Sequence, residues 1–151
     1  MAEKEQIPTE KLSKTLLIEL TRNAVVMVHE QNPNALGVII HGSRVNEGVD
    51  GKKQPRIDSD VDTIIIRNNR DEKALANLAD EIWKRIGPSF GVLIDTGPWG
   101  PMEWEAVQKA NVSAGSRENF QNEWQHLTDS RIVIGATPEI EKAVTKALQP
   151  L

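Results

Sequence analysis

At 151 residues the chain is long enough for one domain with a single substantial core. Eighteen Lys and Arg against 22 Asp and Glu leave a formal net charge of -4, the wrong sign for a domain whose main task is coating nucleic acid. With no cysteine, disulfides, thiol nucleophiles and cysteine-ligated metals are excluded, and only three His argue against a histidine-rich metal site.

The start MAEKEQIPTEK has no apolar signal-peptide core. No apolar run nears the roughly 18 residues of a membrane span. A cytoplasmic setting is therefore expected. Four Trp, two Phe and no Tyr are few for platforms that stack unpaired bases.

In chain order, Thr9 to Gln31 carries helical periodicity: Leu12, Leu16, Leu20, Ala24 and Val28 recur every four residues, widened by Leu17 and Met27. Asn32-Pro33-Asn34 ends this helix, because proline lacks an amide proton and restricts the residue before it. Leu36 to His41 (LGVIIH) is a short apolar run that predicts a buried strand. Gly42-Ser43-Arg44 follows, then an aperiodic Gly-, Lys- and Asp-rich loop carrying Lys52, Lys53 and Arg56.

Val61 to Arg67 (VDTIIIR) predicts a second strand. Leu75, Leu78, Ala79, Ile82 and Ile86 mark a helix from about Asp71, closed by Gly87-Pro88. Phe90 to Asp95 (FGVLID) predicts a third strand, Met102 to Ala110 a short helix, and Glu118 to His126 another. Arg131 to Gly135 (RIVIG) predicts the fourth strand. The terminal helix runs from Pro138 to Leu148, with Glu139 and Glu141 near its positive end. The expected fold class is α/β (α+β), one domain over 1–151 with helices packed on a small mixed sheet.

Three features carry chemistry. Asp60-Val61-Asp62 puts two carboxylates on one side of a strand, since residues i and i+2 share a face. Such a pair is destabilising unless a cation or a proton sits between them, and magnesium is the hard, oxygen-seeking partner that also binds phosphates. Taken alone, DSDVD also reads as the polar, solvated start of a strand. Gly42-Ser43 leaves a buried strand, where glycine permits close backbone approach and free amides suit a phosphate. Alone it reads as an ordinary turn, and Arg44 as either a phosphate contact or a solvated side chain. Asp95 ends the third strand, as a third carboxylate or as a turn residue bonding the Thr-Gly-Pro backbone.

Other residues take structural readings. His41 reads as a hydrogen-bonded structural histidine, and His29 and His126 as helical residues without metal spacing. Trp99 and Trp104 either line a pocket or cap the core, with the core favoured, while Trp83 and Trp124 read as packing.

Together, IIHGSR, DSDVDTIII and Asp95 resemble the DNA polymerase beta-like nucleotidyltransferase superfamily, closest to its minimal nucleotidyltransferase (antitoxin-type) domains. The match is specific over 38–66, extends to Asp95, and includes RIVIGATPEI as a closing strand and turn. It departs in the longer loop between Ser43 and Asp60.

The resemblance implies a metal-dependent enzyme moving a nucleoside monophosphate from a nucleoside triphosphate, ATP first, to a hydroxyl on a protein, RNA or small molecule, with release of pyrophosphate. It implies Asp60, Asp62 and Asp95 as magnesium ligands of a two-metal site, and Gly42, Ser43 and Arg44 as phosphate contacts. Asp95 would also help deprotonate the acceptor hydroxyl, as a general base or through the metal. A HEPN-type toxin or a second copy of the chain would be the partner, with nucleic acid entering only as acceptor. The alternative is a non-catalytic nucleotide- or partner-binding module, antitoxin-like, that keeps the fold.

Overall fold

The computed structural model describes residues 14–41, 61–68, 72–90, 94–95, 100–127 and 131–149. Helix α1 (Lys14–Gln31) leads into strand β1 (Ala35–His41), followed by β2 (Val61–Arg67) and α2 (Glu72–Phe90). Two-residue strands β3 (Ile94–Asp95) and β4 (Met102–Glu103) come next, then helices α3 (Trp104–Ala110) and α4 (Ala114–Glu123). A 3-10 turn (Gln125–Leu127), β5 (Ile132–Gly135) and α5 (Pro138–Leu148) complete the order. This is the expected α+β class.

One five-stranded mixed sheet runs β3-β2-β1-β5, with β4 also on β2. β1 pairs antiparallel with both β2 and β5. β3 and β4 lie parallel to β2, β3 beside its start at Val61 and Asp62, β4 beside its end at Ile66 and Arg67. A parallel pair needs a crossover, and α2 supplies the one from β2 to β3. Side chains alternate between the two faces. Val38, Ile40, Ile65 and Ile134 face one core with α1 and α2, while Ile39, Ile64 and Ile66 face a second with α3, α4 and α5.

The local signals at the joints act through hydrogen bonds. The amides of Asn32 and Ala35 donate to the carbonyls of Val28 and Asn32, 2.7 and 3.0 Å, so the Asn-Pro-Asn turn closes α1 and starts β1 directly. His29 Nδ1 donates to the Ala35 carbonyl at 2.9 Å, locking the same corner from the helix end. Ser113 caps α4 by accepting from the Ser116 amide, and Thr137 caps α5 by accepting from Ile140, each at 3.2 Å.

Several boundaries differ from the sequence reading. The buried face of α1 is Leu17, Thr21, Ala24, Val25 and Val28, with Met27 40% exposed. α1 must touch α2 as well as the sheet, which rotates its buried stripe away from the Leu16–Leu20 line. α2 runs through Gly87-Pro88 to Phe90. A proline so near a helix end forfeits one terminal amide bond rather than dividing a helix, and Leu78 and Ile82 upstream are fully buried.

Phe90 therefore belongs to α2, and the third strand is described only at Ile94–Asp95. Met102 and Glu103 are strand rather than helix, because they pair with Ile66 and Arg67. The helix expected from Glu118 begins at Ala114, capped by Ser113, and yields to the 3-10 turn before His126. Trp83 is 41% exposed, one position around the helix from buried Ile82 and so off the packed stripe. Trp124 is buried as expected, at 3% exposure, and Trp104 packs half-buried against the second core. Trp99 and the Lys52, Lys53, Arg56 loop lie outside the described residues.

The far end of β2 is tied by charge. Arg67 is buried, with its Nε donating to Glu103 at 3.0 Å and an amino nitrogen 3.1 Å from Glu72. Burial lowers the guanidinium pKa, but hydrogen bonds to Glu103 and Glu72 outweigh it and leave the pKa above its ordinary value. Glu72 is 78% exposed and Glu103 32%. Glu103→Gln is therefore expected to cost about 1–2 kcal/mol in a denaturant melt, and Glu72→Gln under ~0.5 kcal/mol. Equal costs would mean that both partners hold Arg67 alike.

No helix among the described residues is long and apolar enough to cross a membrane.

Candidate functional site

The opposite end of the sheet gathers the residues that the sequence singled out. Antiparallel pairing puts His41, the last residue of β1, opposite Asp62, the second residue of β2. Parallel pairing puts Asp95, the last residue of β3, opposite Asp62 on the other side. The backbone thus lines up His41, Asp62 and Asp95 in one row across three strands. Two different connections produce this row. The β1–β2 reversal returns the chain to the end it left, and the α2 crossover carries it back to the same register.

Gly42, Ser43, Arg44 and Asp60 lie outside the described residues. Their chain neighbours His41 and Val61 stand at this end of the sheet. Asp95 enters by its backbone position. Asp62 is half-buried and, by alternation, on the face of Ile64 and Ile66, which the α3–α5 layer covers. His41 shares that face, being the cross-strand partner of Asp62.

Reading the sequence missed His126. It sits in the 3-10 turn after α4, with its ring centroid 5.3 Å from that of His41 and the planes at 71°, an edge-to-face pair. The Trp124 ring also lies near it, with centroids 6.0 Å apart and planes tilted by 47°. The Nε2 atoms of both histidines are buried. No periodicity or spacing links residues 41 and 126, so no sequence signal could have joined them. His41, read as hydrogen-bonded and structural, is thus half of a ring pair at the edge of the site.

Burial pushes the His126 imidazole pKa below its ordinary value, and the neighbouring charge of His41 lowers it further. The sign for stability follows. Below about pH 6.5 the unfolded chain takes up a proton that the folded state resists. Stability is then fully present above the ordinary imidazole pKa. It falls as pH drops through that value and levels off below the folded one. Melting temperature is expected to fall as pH drops from about 7 through about 6.5 and below, with a shallower fall in His126→Phe. A variant that follows the wild-type curve throughout would rule out this contribution.

Among the described residues, no three His, Cys, Asp or Glu side chains cluster as a metal-holding group. A groove of about 780 Å³ lies elsewhere, along α5 between Asn111, Pro138 and Gln149. Asp62 and Asp95 stand at paired backbone positions, and carboxylate is a donor type that suits a hard divalent cation. Comparison with protein-family models, curated proteins and solved structures produced no match.

Proposed function

We propose that the chain is a metal-dependent nucleotidyltransferase that transfers a nucleoside monophosphate from a nucleoside triphosphate to a hydroxyl acceptor. The observation that carries this reading is the parallel register of Asp62 and Asp95, carboxylate-bearing residues far apart in sequence. It is supported by the order of residues around that point, Gly42-Ser43-Arg44 directly after His41 and Asp60 directly before β2.

In this reading Asp60, Asp62 and Asp95 would hold magnesium, which would supply charge neutralisation for the transfer. Gly42 and Ser43 offer backbone amides and a hydroxyl to the β- and γ-phosphates, and Arg44 a guanidinium. The acceptor hydroxyl oxygen bonds to the α-phosphorus, the bond from that phosphorus to its β-bridging oxygen breaks, and pyrophosphate departs with the electron pair. Asp95 receives the hydroxyl proton.

The test incubates the chain with labelled triphosphates and magnesium, with and without cell extract. Pyrophosphate release that disappears in Asp60→Ala/Asp62→Ala supports the reading. Release that survives that double change removes the site, and nucleotide binding without release leaves a non-catalytic nucleotide-binding module. Label on protein, RNA or a small molecule identifies the acceptor class.

A further inference from the structure

We propose that the face formed by α5 and the corner between α3 and α4 docks an extended acidic peptide segment of a partner protein. None of the residues lining this face belongs to the sheet, and the inference does not rest on the nucleotidyltransferase reading.

Two hollows meet at Asn111. One, of about 780 Å³, runs along α5 between Pro138 and Gln149. The other, of about 240 Å³, sits at the turn from α3 to α4 and takes part of its lining from Val112 and Arg117. Two hydrogen bonds tie this corner and α4 to α5. Asn111 Nδ2 donates to the Ala143 carbonyl at 2.9 Å, and Gln121 Nε2 to the Ala147 carbonyl at 3.0 Å. Arg117 lies between these ties in the chain, one helical turn before Gln121, and so on the side of α4 that borders α5.

This face carries cations without partners. Among the described residues, Arg117, Lys142 and Lys146 enter no ion pair, whereas Arg22, Arg67, Lys84 and Lys109 each do. Glu141, the carboxylate in the lining of the larger hollow, is already taken by Arg22 at 2.8 Å and by the Gly135 amide at 3.1 Å. Two further polar atoms are buried without a hydrogen bond, Nε of Arg117 and Oδ1 of Asn111. One needs an acceptor and the other a donor, and buried polar groups are rarely left so.

An extended acidic segment supplies both. Its carboxylates pair with the cations, and a backbone N–H meets Asn111 Oδ1. Residues two apart in an extended chain share a side at about 6.6 Å. That is close to the roughly 6 Å rise between helix positions four apart, as Lys142 and Lys146 are. Val112, 83% exposed, and Pro138 add apolar contact. A nucleic-acid strand suits the face less. The lining holds no aromatic ring for base stacking, a phosphate brings no donor to Asn111, and the chain's net charge is -4.

The test reads fluorescence anisotropy of a labelled peptide that alternates Glu and Val, added to the full chain at low salt. About six residues span the roughly 16 Å from Pro138 to Gln149. Binding is expected to weaken about tenfold or more in Lys142→Gln/Lys146→Gln and in Arg117→Gln. It should fade as salt rises, and vanish for the same peptide with Gln in place of Glu. Lys73→Gln removes a cation at the exposed start of α2 and should stay within about twofold of wild type.

Thermal melts follow folding. Lys142 and Lys146 are exposed, so their variant should melt like wild type, and it decides alone if Arg117→Gln does not fold. No wild-type binding at about 1 mM peptide, equal binding of the Gln peptide, or wild-type affinity in either folded variant overturns the proposal. So does equal weakening in Lys73→Gln, which would reflect overall charge rather than this face. Tighter binding of a single-stranded oligonucleotide, lost in the same variants, overturns the peptide as occupant and assigns the face to nucleic acid.

Discussion

Under the proposed nucleotidyltransferase function, Asp62→Asn is expected to lower nucleotidyl transfer by at least about 10²-fold, the scale seen when a single charge-stabilising group is removed from a reacting centre. Asp62 lies in the middle of the His41–Asp62–Asp95 row, so its carboxylate is common to both strand pairings. The substitution keeps shape and removes charge. A role confined to ligand binding and catalysis predicts a variant that melts like the wild type in metal-free buffer.

Ligand then separates the two proteins. Magnesium and triphosphate at about 100 times their dissociation constant should stabilise wild type by roughly 2.7 kcal/mol, and the variant much less. Loss of transfer together with a lower metal-free melting temperature would instead assign Asp62 a folding role.

The second large effect concerns the backbone. Gly37→Ala is expected to lower the melting temperature by about 3–10 °C, from about 1–3 kcal/mol of overpacking. A Cβ at Gly37 would meet the Ile134 carbonyl oxygen of β5, and would stand 3.1 Å from the Gly135 Cα. Both are backbone atoms and cannot rotate away. Gly37 also lies where the β1–β2 pairing shifts register after Ala35, so a displaced β1 would carry His41 out of line with Asp62.

Its partner in the β1–β5 pairing, Gly135, is equally confined, 2.6 Å from a Cβ there to the Glu141 amide nitrogen. Gly115→Ala serves as the control. Nothing lies within 4 Å of a Cβ at that position in α4, so the same substitution should gain about 0.5–1 kcal/mol by favouring helix. Equal effects at Gly37 and Gly115 would show that propensity, not close approach, sets the outcome.

Much of the fold was legible because its signals are local. VDTIIIR is a strand at the expected bounds, since β-branched residues suit a sheet buried on both faces. Pro138 to Leu148 is the expected helix because Thr137, Pro138 and the early glutamates satisfy its amino end. Local reading failed where a neighbour outweighed propensity. Met102 and Glu103 became strand through pairing with β2, and Gly87-Pro88 stayed helical at the end of a packed helix. Trp83 and Met27 lie on solvent because the partners of each helix, not its own periodicity, decide where a half-apolar face ends.

The sequence by itself determined which residue types are available for chemistry: aspartates at 60, 62 and 95, a Gly-Ser pair after a buried strand, and no thiol. It also determined segments such as Val61–Arg67 and Pro138–Leu148, because periodicity and capping act over a few residues. Only the tertiary structure decided which distant residues meet. Opposing Asp62 to Asp95 required an α2 crossover, and joining His41 to His126 required the 3-10 turn after α4 to reach the end of β1. Strand register and layer packing are set by burying both faces of the sheet at once, a condition on the whole chain that no short window contains.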